Sequence, residues 1–185
     1  MAYHHKDLKH ALLVAARQQL AERGPEGLSL REVARAAGVS PNAPYRHFAD
    51  RGALLAALAT EGFIELAAGL RDAPGESARA RLSASGAAYV AFVEGNPALA
   101  RLMFGTCPVD SDVALLAAAQ ACFSVLLEQT ASSYRSSPDD PEVFSRAIAL
   151  WSLVHGYALL RRDGAFPDLH PLPAPDALAA LLRGA

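Results

Sequence analysis

The sequence predicts an all-α fold of about nine helices, a short three-helix head followed by a longer helical body, over 185 residues. Three observations carry that expectation. Hydrophobic residues make up 52% of the chain and aromatic residues 7%. Alanine and leucine dominate, and side chains of this type lose little freedom on a helix. Apolar residues recur three and four positions apart in segment after segment, and no alternating strand pattern occurs. Glycine, proline and short polar caps punctuate those segments.

The first helix is expected over residues 6–23, with Leu8, Leu12, Ala15, Ala16 and Leu20 on one face. Gly24-Pro25 ends it, because glycine accepts a left-handed cap and proline cannot continue the helix. A short helix follows over 30–37, with Ser29 as N-cap and Gly38 as its stop. A third helix is expected from Ser40, with Pro41 in the first turn, to His47 or Phe48. Asp50 then caps a long helix over 51–71 that carries Leu54, Leu55, Leu58, Phe63, Leu66 and Leu70. Pro74-Gly75 breaks the chain. Further helices are expected over 76–94, 97–104, 111–134 and 142–162, joined by a loop at 105–109 and the connector at 136–141. Five of the residues from 163 to 175 are proline or glycine, which makes an extended loop before a last helix at 176–182.

Charge narrows the function. The net charge is −2, which excludes a globally basic nucleic-acid binder. Residues 1–51 nevertheless hold eight Lys or Arg against five acids, whereas residues 52–185 hold nine against fourteen. Only the head is therefore suited to an anion. Met-Ala-Tyr-His-His-Lys-Asp at the start has no apolar run, so no signal peptide is expected. The longest uncharged stretches, 113–127 and 147–160, fall short of the roughly 18–20 residues of a membrane span. Cys107 and Cys122 lack metal or redox spacing and read as reduced thiols of a cytoplasmic protein.

The informative stretch is 28–55, whose physics is that of a helix-turn-helix. Two short helices must cross closely, so Ala34 is small where they touch. The chain must reverse, so Gly38 takes the left-handed position and Val39 plugs the junction. Ser40 caps the next helix and leaves backbone N–H groups for a phosphate, while Asn42, Ala43 and Tyr45 face a groove. The nearest plain alternatives are a Tyr45 packed between helices, a solvated Arg31 and a purely structural His47.

Tyr45, His47, Phe48, Asp50, Leu54 and Leu55 match, in spacing, the DNA-binding unit of the TetR/AcrR family of transcriptional regulators, which this sequence resembles. Downstream, A-L-W-S-L-V-H-G-Y-A at 149–158 resembles the Trp-His-Gly signature of one C-terminal subgroup of that family. Pro44 departs from the pattern, standing where the family usually has an apolar residue. Arg51 and Gly52 stand where Lys and Glu are commoner. The resemblance implies a helix-turn-helix DNA-binding domain at 1–50 and a ligand-binding and dimerisation domain at 51–185. It implies a homodimeric repressor on a pseudo-palindromic operator in double-stranded DNA, released by a small-molecule effector. Arg31, Ser40, Pro41, Asn42, Ala43, Tyr45, His47 and Arg51 form the expected DNA-binding set, with Tyr45 and Arg51 on phosphate.

The body offers two further sets. Phe63, Leu66, Tyr89, Phe92, Val93, Met103, Phe104 and Phe123 mix aromatic and aliphatic surface with few charges, which fits a small apolar effector or an ordinary core. No charged residue occurs from 147 to 160, so that helix needs cover on nearly every side. Leu153, Gly156, Tyr157 and Leu160, with Leu178 and Leu181 of the last helix, are the expected dimer interface, and Ala158 is expected to ease the approach of backbones. His155, near Trp151 and Tyr157, has no second ligand at metal spacing. Neither a nucleophile elbow nor a phosphate loop occurs, so no catalytic residue, metal or cofactor is expected. A DNA-binding regulator without an effector is the alternative function, and a helical enzyme is the more distant one.

Overall fold

The structure, a computed structural model, describes residues 5–106 and 112–164. Among these residues every regular element is helical. Seven α-helices follow in order: α1 His5–Arg23, α2 Leu30–Ala36, α3 Arg51–Arg71, α4 Ala78–Gly95, α5 Pro97–Arg101, α6 Val113–Tyr134 and α7 Pro141–Arg162. Two 3-10 turns, Pro25–Gly27 and Pro44–Arg46, and a π-helical turn at Leu102–Thr106 complete the set. The expected helix at 176–182 and most of the preceding loop lie outside the described residues.

Local chemistry sets the helix starts. Asp50 Oδ1 accepts from Ala53 N at 2.8 Å and opens α3. Asp112 Oδ1 does the same for Ala114 and Leu115 at 2.8 and 3.0 Å, and Asp140 for Glu142 at 2.9 Å. Each side-chain oxygen satisfies an amide that has no partner inside its helix. Ser29 occupies the N-cap position of α2 in an extended conformation, but through its carbonyl, which accepts from Val33 N at 2.9 Å, and not through its hydroxyl. At the other end of α2, Gly38 adopts φ +68° and Val39 N closes onto Ala34 O at 3.0 Å. The α6 terminus uses the same closure, Ser136 N onto Ala131 O at 3.0 Å, with Arg135 at φ 56° in the position glycine usually takes.

The expected third helix is corrected. Residues 41–43 form turns and only Pro44–Arg46 winds, as 3-10. Pro44 is the physical reason. It has no N–H to give Ser40 O, and its ring crowds that carbonyl. Ser40 O instead accepts from Ala43 N at 3.0 Å, three residues on. The expected short helix at 97–104 is likewise divided into α5 and the π turn.

Two compact units emerge from the packing. One comprises Met1–Phe63 and Asn96–Ala119, the other Ile64–Gly95 and Gln120–Ala185, so both α3 and α6 are shared between units. The first has Leu12, Ala16, Leu20, Val33, Leu54 and Leu58 at its centre. In it α1 packs on α2 and α5, and Arg17 Nη2 donates to Asn96 Oδ1, at the start of α5, at 3.0 Å. There, too, α3 approaches the π turn so closely that a Cβ at position 62 would lie 2.5 Å from Met103 Sδ, and that side chain would have to shift. The second unit is built on α4 against α7, around Val90, Val143, Ala147 and Ala158. Within it the Leu70 carbonyl at the end of α3 accepts from Gln129 Nε2 at 2.7 Å.

Contrary to the expectation from uncharged stretches, three helices among the described residues reach the length of a membrane span. By length and composition α3, α6 and α7 are each long and apolar enough to cross a membrane, because mean hydropathy tolerates a charge or two where a strict uncharged count does not.

Candidate nucleic-acid interface

Three buried anchors shape the surface between α2 and α3. Val33, Pro44 and Phe48 are buried, and α2 packs against the 3-10 turn. Phe48 N and His47 N both bond to Pro44 O at 2.9 Å, so the segment turns back toward α3 immediately after its exposed face. On that face Ser40, Pro41 and Asn42 are exposed, Tyr45 is 49% exposed and Ala43 is half-buried. Tyr45 is thus a large aromatic left open on a segment whose neighbours Pro44 and Phe48 are buried. Arg31 is exposed on α2, as is Arg35 one turn later.

His47 is half-buried with its ring tilted against Phe48 at 6.4 Å, which suits a positioning role more than base contact. Arg51 behaves differently from its neighbours. Its Nε donates to Leu28 O at 3.1 Å and its Nη2 donates to Pro25 O, both in the corner that joins α1 to α2. Sequence reasoning leaves Arg35 and Arg46 among ordinary surface charges. Both are exposed in this unit, and the i,i+4 spacing of Arg31 and Arg35 on α2 is the available signal.

The eight expected effector residues fall in two sets. Phe63, Met103 and Phe104 belong to the first unit, where the rings of Phe63 and Phe104 meet edge to face at 5.5 Å. Leu66, Tyr89, Phe92, Val93 and Phe123 belong to the second. Met103, Leu66 and Val93 are fully buried, whereas Phe92, Phe104 and Phe123 keep partial exposure.

The second unit also assembles a polar cluster among these aromatics. Tyr89 Oη lies 2.6 Å from His155 Nδ1 and 3.4 Å from Trp151 Nε1, and Phe123 packs on Trp151 at 5.9 Å. Burial raises the Tyr89 phenol far above its ordinary range. It also lowers the His155 imidazole, with the Arg162 charge acting in the same direction. The Cys122 thiol is pushed up to about 11 by burial, so it stays protonated and unreactive. The described residues contain no group of three or more potential metal ligands.

Of the expected interface, Leu153 and Leu160 are each 41% exposed, and a Cβ on Gly156 would meet nothing within 4 Å. Tyr157 and Ala158 turn inward and are buried in their own unit. Phe144 and Ile148, outside the expected set, extend the exposed side of α7 toward its N-terminus. Leu178 and Leu181 lie outside the described residues.

Comparison with known proteins is specific. Residues 12–58 match the family of bacterial regulatory proteins, tetR family, and residues 82–184 match the tetracyclin repressor-like C-terminal domain. A protein of unknown function from Rhodococcus sp. RHA1 is 33% identical with a TM-score of 0.82, over 100% of this chain and 95% of that one. The TetR family transcriptional regulator PfmR from Thermus thermophilus shares the fold at 19% identity and a TM-score of 0.64, over 92% and 93% of the two chains. The transcriptional regulator FadR from Bacillus subtilis, solved in complex with stearoyl-CoA, does so at 14% and 0.67, over 94% and 95%.

Proposed function

The chain belongs to the TetR family of DNA-binding transcriptional regulators, and on that premise we propose that it is a homodimeric repressor released from its operator by a small apolar effector. The observation that carries the DNA-reading part is the exposed Asn42–Tyr45 face held by buried Pro44 and Phe48. In this reading two copies place these faces in successive major grooves of a pseudo-palindromic site. Tyr45 and the amides near Ser40 and Pro41 meet phosphate and set register. Arg31, Asn42 and Ala43 read base edges, with the Ala43 methyl suited to a thymine methyl.

Dimerisation is supported by α7. Its outward side carries Phe144, Ile148, Leu153 and Leu160, all at least 37% exposed, with Ser145, Ser152 and Gly156 between them. A second copy of the same stripe gives a self-complementary two-fold contact. For the effector, the aromatic cluster of Tyr89, Phe123 and Trp151 supports an apolar molecule with one hydrogen-bonding group. A ligand bound there acts by favouring one of two arrangements of the dimer, which requires unequal affinity for them. The reading carries with it a cytoplasmic location.

The test begins with selection of bound sequences from random duplex DNA. Tyr45→Ala is expected to weaken binding to all selected sequences alike, and Arg31→Ala to alter sequence preference as well. Phe144→Glu with Leu153→Glu is expected to give a monomer in sedimentation and to abolish tight operator binding. Screening of small apolar molecules for release follows, with stearoyl-CoA, the ligand of the FadR complex, as a charged comparison. Failure to select any sequence, or unchanged binding in all these variants, would overturn the reading.

A further inference from the structure

We propose that Arg51 is a positioning residue: its guanidinium is a strut that fixes the first turn of α3 to the α1–α2 corner, and DNA affinity depends on it through that geometry and not through a phosphate contact. The inference rests on the DNA-binding function above.

Two carbonyls define the strut. Nε donates to Leu28 O at 3.1 Å and Nη2 to Pro25 O, across 23 and 26 residues of sequence. Both acceptors stand in the corner opened by Gly24 at φ +71° and closed by Leu28 N on Pro25 O at 3.3 Å. Pro25 is buried, and Leu28 is buried and leads directly into Ser29, the N-cap position of α2. The corner therefore sets where α2 begins. At the other end of the strut, Arg51 is the first residue of α3, directly after the Asp50 cap. One side chain thus joins the start of the long helix to the start of the helix-turn-helix.

The chemistry favours arginine for this task. A guanidinium is planar, and its Nε–Nη edge presents two parallel donors in fixed geometry. That side-on edge is one of the two a guanidinium can offer a phosphate, and here it is occupied by the two carbonyls, while Arg51 as a whole stays exposed. A lysine ammonium keeps the charge but is a single point on a flexible stem. It can reach one carbonyl or a phosphate, and it cannot hold two acceptors at fixed separation.

Arg51→Lys and Arg51→Ala separate the two roles. For a phosphate contact, Lys rescues affinity, and Ala lowers the slope of log K against log salt by about 0.9. For a strut, both variants lose affinity for the selected operator by on the order of tenfold, in parallel with wild type at every salt concentration. Amide exchange at Leu28, measured without DNA, is expected to accelerate in both. A variant that only lost global stability would bind normally well below its denaturation midpoint. That result would overturn the proposal, as would a reduced slope in Arg51→Ala with rescue by Lys, or Leu28 exchange unchanged in both variants. Because the exchange measurement needs no DNA, a failed strut is distinguishable from a failed DNA-binding reading.

Discussion

Replacing Gly62 by alanine opposes two effects of known size. A glycine inside a helix costs about 0.8–1.0 kcal/mol relative to alanine, so on propensity alone Gly62→Ala stabilises α3. The added methyl, however, would sit 2.5 Å from Met103 Sδ, 3.2 Å from Met103 Cγ and 3.2 Å from Leu99 Cγ. Ordinary carbon contacts lie near 3.5–4.0 Å, so Met103 must retreat by roughly 1 Å. Met103 is enclosed, being 1% exposed, and Leu99 beside it is 3% exposed. Forcing an extra carbon into such a place costs about 1–3 kcal/mol. The net expectation is a loss of about 0–2 kcal/mol. Gly69 in the same helix is the control: it is exposed and its Cβ would meet nothing within 4 Å, so Gly69→Ala should realise the whole propensity gain. Urea denaturation at one fixed protein concentration is expected to separate the two variants by about 1–3 kcal/mol. Melting temperatures should differ by several degrees, at about 2–4 °C per kcal/mol for a chain of this size. Gly62→Ala proving as stable as Gly69→Ala would refute the close approach of α3 to the π turn.

The remaining predictions concern single groups. Arg135→Gly should raise the stability read from urea denaturation by up to about 1 kcal/mol, since a side chain at φ 56° is strained where glycine is not. Tyr89→Phe should cost about 1–3 kcal/mol in the same assay, because it withdraws one partner from both His155 and Trp151. The lowered His155 means that the unfolded chain takes up that proton more readily. Stability is then full above 6.5 and declines as pH falls through the folded value, and His155→Gln should flatten that decline. The Ser136 hydroxyl, and then the Glu142 amide, hold the Asp140 carboxyl below 3.8. Its contribution is thus present above that value and lost in acid, a loss that calorimetry should find missing in Asp140→Asn.

Where the sequence is legible, local chemistry explains it. The bounds of α3 follow from Asp50 at one end and the end of its apolar periodicity at the other, and α7 starts where the Asp140-Pro141 pair requires. The Gly38 reversal can be read because only glycine takes its φ cheaply. The third helix of the head is misjudged because Pro44 both lacks a donor for Ser40 and crowds that carbonyl with its ring, so the expected winding from Ser40 does not form. Arg51 is illegible in its partners, which are main-chain carbonyls more than twenty residues away and carry no side-chain signature. On α7 the lack of charge from 147 to 160 indicates a covered helix but not its direction. Tyr157 and Ala158 are therefore expected outward but lie inward, while Phe144 and Ile148 escape notice. Grouping the effector candidates by hydrophobicity cannot tell Phe63 and Met103 of one unit from Tyr89 and Phe123 of the other.

The brevity of the Pro44–Arg46 winding makes the proposed reading face a dependent feature. A regular helix carries its own shape in its ladder of hydrogen bonds, but this segment has only a few such bonds and owes its form to the burial of Pro44 and Phe48. As an excised peptide it would be a coil, because so few bonds cannot offset the cost of nucleation. Its fidelity is therefore on loan from the hydrophobic interior beneath it. Substitutions at Val33 or Phe48, buried beneath it, should blur sequence discrimination before they unfold the chain. New operator preferences can consequently arise from the inside of this protein as readily as from its surface.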